Sequence, residues 1–132
     1  MSTAILLSIK PEFASAIFSG EKLYEFRKAV FKNRTIDKVY VYASAPVSKV
    51  IGYFFINEII EDHPRNLWEE TSYGAGISRK YFYDYFANRK LGYALRVMNA
   101  RLFDESQDLK EMFGIRHPPQ SFRYVPAFAA DL

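Results

Sequence analysis

Short apolar runs punctuated by glycine and proline divide this chain. Residues 4–9 are apolar apart from Ser8 and too few for a helix before Pro11, which predicts a first, buried strand. From Pro11 the apolar positions Phe13, Ala14, Ile17 and Phe18 recur at helical spacing, and Gly20 stands where a left-handed stop suits a helix end. Residues 24–27 then alternate aromatic with charged, so a strand there sets Tyr24 and Phe26 on one face and Glu25 and Arg27 on the other. The polar, basic stretch 31–37 reads as a surface loop. Residues 38–44 alternate Val39, Val41 and Ala43 with Tyr40, Tyr42 and Ser44 and stop before Pro46, which predicts a strand. Residues 49–61 form a β-rich run longer than a usual strand. Its Gly52 predicts a bulge, or the bend that lets a sheet close on itself.

Past this run the pattern shortens. His63-Pro64 opens a short polar helix through Leu67, Trp68 and Glu70, closed by the turn Tyr73-Gly74-Ala75-Gly76. Ser78 suits the N-cap of the next helix, with Ile77 and Phe82 placed as a hydrophobic staple and Phe82, Tyr85 and Phe86 as its apolar stripe. Residues 91–98 read as a central strand, with an extension to Phe103. Ser106 is the expected cap of a short helix stopped by Gly114, and residues 121–125 form a last strand. Residues 125–132 are expected as a frayed tail. Five or six strands with three or four helices, lacking regular strand-helix alternation, predict an α+β fold in one domain spanning residues 1–132. The expected architecture is a small, mostly antiparallel β-barrel decorated by three to four helices, with its site at one rim.

Composition narrows the chemistry. At 132 residues, 49% hydrophobic and 25% charged, the chain fits one compact domain with a core and lies far from the disordered class. Cysteine is absent, which excludes disulfides, a thiol nucleophile and a cysteine-based zinc site, and agrees with a reducing cytoplasm. The two histidines each precede a proline and lie far apart, so neither a metal nor a cofactor is expected. No window approaches a membrane span, and a membrane partner is not expected. Eighteen basic against fifteen acidic residues is a mild excess that favours polyanions. The 17% aromatic content supplies either stacking platforms or ordinary core.

The candidate chemistry gathers at residues 20–27, where Lys22, Glu25 and Arg27 put two cations and an anion on six positions. Glu25 and Arg27 on one strand face also suit a plain ion pair. Lys10, at the mouth of the first helix, either helps hold an anion against the free N–H groups or is a solvated strand end.

With these elements in order, the chain resembles the ASCH family, a branch of the PUA-like β-barrels associated with RNA. The resemblance runs through Leu7-Ser8-Ile9-Lys10-Pro11-Glu12-Phe13-Ala14 and the G-x-K-x-x-E-x-R core Gly20, Lys22, Glu25, Arg27. It continues through Tyr42-Ala43-Ser44, Lys49-Val50-Ile51-Gly52-Tyr53-Phe54 and Gly92-Tyr93-Ala94-Leu95-Arg96-Val97. It implies a PUA-like domain whose pocket, between barrel and first helix, is lined by Lys10, Lys22, Glu25, Arg27 and Ser44. Such a set suits single-stranded RNA or a nucleotide-like ligand: the cations meet phosphate, Glu25 accepts from a base edge, and Ser44 donates or accepts. Tyr24 and Trp68 are candidate stacking platforms. A regulatory RNA-binding module is the expected role. The alternative is a hydrolase, a ribonuclease with Glu25 as base and Lys22 and Arg27 offsetting phosphoryl charge, or an enzyme on a modified nucleoside. The N4-acetylcytidine amidohydrolase branch uses a lysine and a threonine three positions later. Here Lys22 matches but Glu25 stands at the threonine position, which removes the hydroxyl. A protein-interaction surface rich in tyrosine is a third reading.

Overall fold

The computed structural model describes residues 2–128. Its elements run β1 (Thr3–Ile9), α1 (Pro11–Ser19), β2 (Tyr24–Arg27), β3 (Lys38–Ala43), β4 (Lys49–Asp62), α2 (Pro64–Thr71), a short 3-10 turn (Ser72–Gly74), α3 (Arg79–Tyr85), β5 (Gly92–Gln107), α4 (Leu109–Phe113) and β6 (Phe122–Pro126). The strands form one sheet in the order β2-β5-β4-β3-β1-β6. Only β1 and β3 run parallel; the other pairs are antiparallel, as expected.

The sheet is open, so the expected barrel is approximate. β2 and β6 are its two edge strands, each paired on one side, and among the described residues no ladder joins them. Register shifts interrupt the pairing of the long strands β4 and β5, as bulges that bend a strand do. One of them lies at Gly52, where a Cβ would stand 2.3 Å from the Arg101 carbonyl oxygen. The glycine is therefore there for the close passage of β5, and the expected bulge is present.

β1 and β3 are buried on both faces, and each face feeds a different core. Ile5, Leu7, Ile9, Val39 and Val41 join Ala14 and Ile17 of α1 and Phe31. Ala4, Leu6, Tyr40 and Tyr42 join Phe103, Leu109 and Val125 on the other side. Tyr24 and Phe26 of β2 pack with Leu67 of α2 and with Phe82 and Phe86 of α3 in a third cluster. The expected cap holds, since Ser78 accepts from the Tyr81 N–H at 3.0 Å, and Ile77 packs against the cluster that contains Phe82.

Two expectations need correction. The cap of α4 is Asp108, not Ser106: its carboxylate accepts from the backbone N–H groups of Lys110 and Glu111, while β5 runs on through Ser106. Residues 125–128 are not frayed. Val125 is buried and pairs with Ala4, the Ala127 N–H donates to Ser2, and the Phe128 N–H donates to the Tyr40 hydroxyl at 2.9 Å. Residues 129–132 of that expected tail lie outside the described residues.

Candidate functional site

α1 and β2 build the site between them. Gly20 ends α1 in the left-handed region at φ 88°, and the Lys22 N–H donates back to Ala16 at 2.9 Å. This reversal drops Lys22 beside the 74–76 segment, where the Leu23 N–H donates to the Gly74 carbonyl at 2.8 Å. Gly76, at φ 67°, packs against the lysine stem so closely that a Cβ would lie 2.5 Å from that of Lys22. The side chain is thereby sealed in and is only 2% exposed.

A buried ammonium is held by what surrounds it. Lys22 Nζ donates to the Ala75 carbonyl at 2.6 Å and lies 4.8 Å from the Phe26 ring centroid and 5.5 Å from that of Phe13. Burial disfavours the charge and pulls its pKa down to about 8, with Glu25 opposing the shift. Glu25, 5% exposed, accepts from Arg27 Nη1 at 3.1 Å. Arg27 Nη1 also donates to the Ser8 carbonyl at 3.3 Å, and Nη2 to that of Ser121 at 2.7 Å. One guanidinium thus spans the gap that the open sheet leaves between β2 and β1.

These groups line a cavity of about 220 Å³ with Lys10, Phe13, Tyr81, Tyr85 and Gln120. Lys10 is exposed at the N-terminus of α1, its Nζ 5.3 Å from the Tyr81 ring centroid. The Tyr81 side chain raises the Lys10 pKa, so this residue stays cationic. The structure therefore brings Lys10, Lys22, Glu25 and Arg27 together around one recess.

The other expected site residues fall elsewhere. Ser44 does not line the cavity: its N–H donates to Ile9 at the end of the β1–β3 pairing, and its carbonyl accepts from the Val47 N–H as the chain turns away. Tyr24 is buried, its hydroxyl bonded to that of Tyr73 at 2.8 Å and to Arg96 Nη1 at 2.9 Å, so it has no free face for a base. Trp68 lies in a different cleft, between α2 and α3. Conversely, Tyr81 and Tyr85 line the cavity although only an apolar stripe was legible on α3; their four-residue spacing is a signal that core packing produces equally well. Among the described residues no three potential ligands cluster around a metal position, and no helix is long and apolar enough to cross a membrane.

Known proteins share this fold. The ASCH domain model matches residues 7–101, a span that includes all four charged cavity residues. An ASCH domain-containing ribonuclease of Zymomonas mobilis is 30% identical over 122 residues, covering 91% of this chain and 82% of that protein. The crystal structure of ASCH from Zymomonas mobilis superposes with a TM-score of 0.86 at 28% identity, covering 93% of this chain and 87% of that one. A serine-to-alanine mutant of the same protein gives 0.86 at 28% identity, covering 93% and 88%. The chain belongs to the ASCH domain family.

Proposed function

We propose that this ASCH domain binds single-stranded RNA by drawing one nucleotide into the cavity between α1, β2 and α3. The observation that carries the reading is Lys22, a nearly fully buried ammonium beside the Glu25–Arg27 pair in an aromatic-walled recess. An ammonium has three donors, and among the described residues a single acceptor, the Ala75 carbonyl, meets it. A phosphate or base oxygen entering the recess supplies the missing acceptors and neutralises charge that the fold has taken out of water. The volume limits the occupant: about 220 Å³ falls below the roughly 300–1,000 Å³ of drug-sized pockets, so one nucleotide unit enters and the strand continues outside. Splayed single strands offer such a unit, whereas a duplex keeps its bases stacked. Glu25 can accept from a base amino group or from a 2′-hydroxyl, the group that separates RNA from DNA. The name of the Zymomonas relative, a ribonuclease, supports RNA as the ligand class.

The second reading is cleavage of the bound strand. A lysine with a pKa near 8 changes protonation close to neutral pH, where acid–base catalysis is most effective, and the relative's name favours this reading. In it, Glu25 orients or deprotonates the nucleophile while Lys22 and Arg27 offset the charge growing on phosphorus oxygens.

The deciding experiment incubates purified protein with end-labelled single-stranded RNA and with N4-acetylcytidine, each with and without chelator. Binding of intact RNA, weakened at least tenfold by Lys22→Met in a variant with unchanged circular dichroism, is the expected result. RNA turnover that Glu25→Gln abolishes moves the assignment to a ribonuclease. A wild type that neither retains nor cleaves RNA overturns both readings.

A further inference from the structure

We infer that the cleft between α2 and α3 is a second nucleotide subsite, which takes a base and phosphate of the same RNA strand whose neighbouring nucleotide occupies the cavity. The inference rests on the cavity reading above. α3 is the wall between the two recesses: Tyr81 and Tyr85 face the cavity, and Arg79 and Tyr83 line the cleft. Residues two apart on a helix project to nearly opposite sides, so one short helix presents a tyrosine to each recess.

The cleft, about 730 Å³ and open, is lined by Arg65, Trp68, Glu69, Ser72, Arg79 and Tyr83. The half-buried Trp68 indole packs on Phe82 at 5.0 Å between centroids and approaches Tyr83 at 6.3 Å. These contacts brace the ring. Its remaining surface lines the cleft, as suits a rigid platform on which a base stacks. The Arg79 guanidinium lies 5.7 Å from the Tyr83 centroid. Arg65 and Arg79 are exposed, and among the described residues neither is paired with a carboxylate. Two uncommitted guanidiniums against one carboxylate, that of Glu69, leave the cleft cationic. Planar donor forks beside aromatic faces match the phosphate and base of a single-stranded nucleotide, as in grooves that follow such strands.

The chain holds a single tryptophan, so its fluorescence reports on the surroundings of Trp68, where the cleft meets the third cluster. The test titrates the protein with uridine monophosphate and with fluorescein-labelled octauridylate, following Trp68 emission and label anisotropy together. Octauridylate quenches Trp68, and the monophosphate leaves it unchanged. In Arg65→Ala/Arg79→Ala, with its melting temperature intact, the quenching is lost. The slope of log affinity against log salt falls by about 0.7, the value for the one phosphate contact that the two arginines share. Arg65→Lys/Arg79→Lys restores most of that slope. Octauridylate that binds in a Lys22-dependent way without quenching and without dependence on the two arginines overturns the second subsite while leaving the cavity reading intact. Equal quenching by the monophosphate overturns the shared strand, and absence of any octauridylate binding overturns both proposals.

Discussion

Lys22 holds its ammonium out of water against a single carbonyl and two aromatic faces, and that arrangement gives its protonation a stability consequence. The folded-state pKa of about 8 lies below the ordinary value of 10.5, so between those pH values the unfolded chain holds more protons than the folded one. Stability at this residue therefore rises with pH through that window, and below about pH 8 the whole penalty of the buried charge remains. Relative to Lys22→Met, wild type gains roughly 3 kcal/mol between pH 7.5 and 10.5, which urea unfolding of both proteins across that range measures. A flat difference between the two proteins shows that Lys22 is not the buried cation described. The residue type was legible from its place in the G-x-K-x-x-E-x-R run. Its burial was not, because the segment that covers it, around Ala75 and Gly76, lies more than fifty positions along the chain.

Among the elements, β2 is the smallest strand and the one that carries the site. It pairs only with β5, and its other side is tied to the rest of the sheet by Arg27, through the carbonyls of Ser8 and Ser121. Removing this side chain leaves Glu25 buried without its cation and cuts both ties. Arg27→Met is expected to destabilise by about 3–5 kcal/mol in urea unfolding, and Arg27→Met/Glu25→Met to recover a large part of that loss, since it removes both charges together. Recovery near zero means that the carbonyl ties, and not the stranded carboxylate, dominate. The period-two pattern of residues 24–27 was enough to put Glu25 and Arg27 on one face, and that face is the cavity wall. Ser44, expected in the pocket from the family resemblance, lies past the end of β3 at Ala43, and the aromatic face of β2 that carries Tyr24 is covered by α2 and α3.

Across the whole molecule the apolar clusters are joined by shared strands. β5 alone gives Leu95 to the first, Phe103 to the second and Ala94 to the third. Loss of any cluster strips a strand that the others need, so unfolding is expected as one cooperative step. Trp68 fluorescence, which reads the third cluster, and far-UV circular dichroism, which reads the sheet, should give coincident urea curves; separated midpoints would show that α2 and α3 open on their own. Alternation, helix stops and turn residues, which act over a few neighbours, determined by sequence alone the order of the strands and helices, the face shared by Glu25 and Arg27, and the stop at Gly20. Long-range pairing decided the rest. β6 adds to the outer side of β1, so the sheet ends in two edges, β2 and β6, and residues 103–128 cover the tyrosine face of β3. The segment at 74–76 seals Lys22, and α3 is turned so that it walls two recesses at once. Each depends on which surfaces, distant along the chain, bury the most apolar area together, and no local pattern records that.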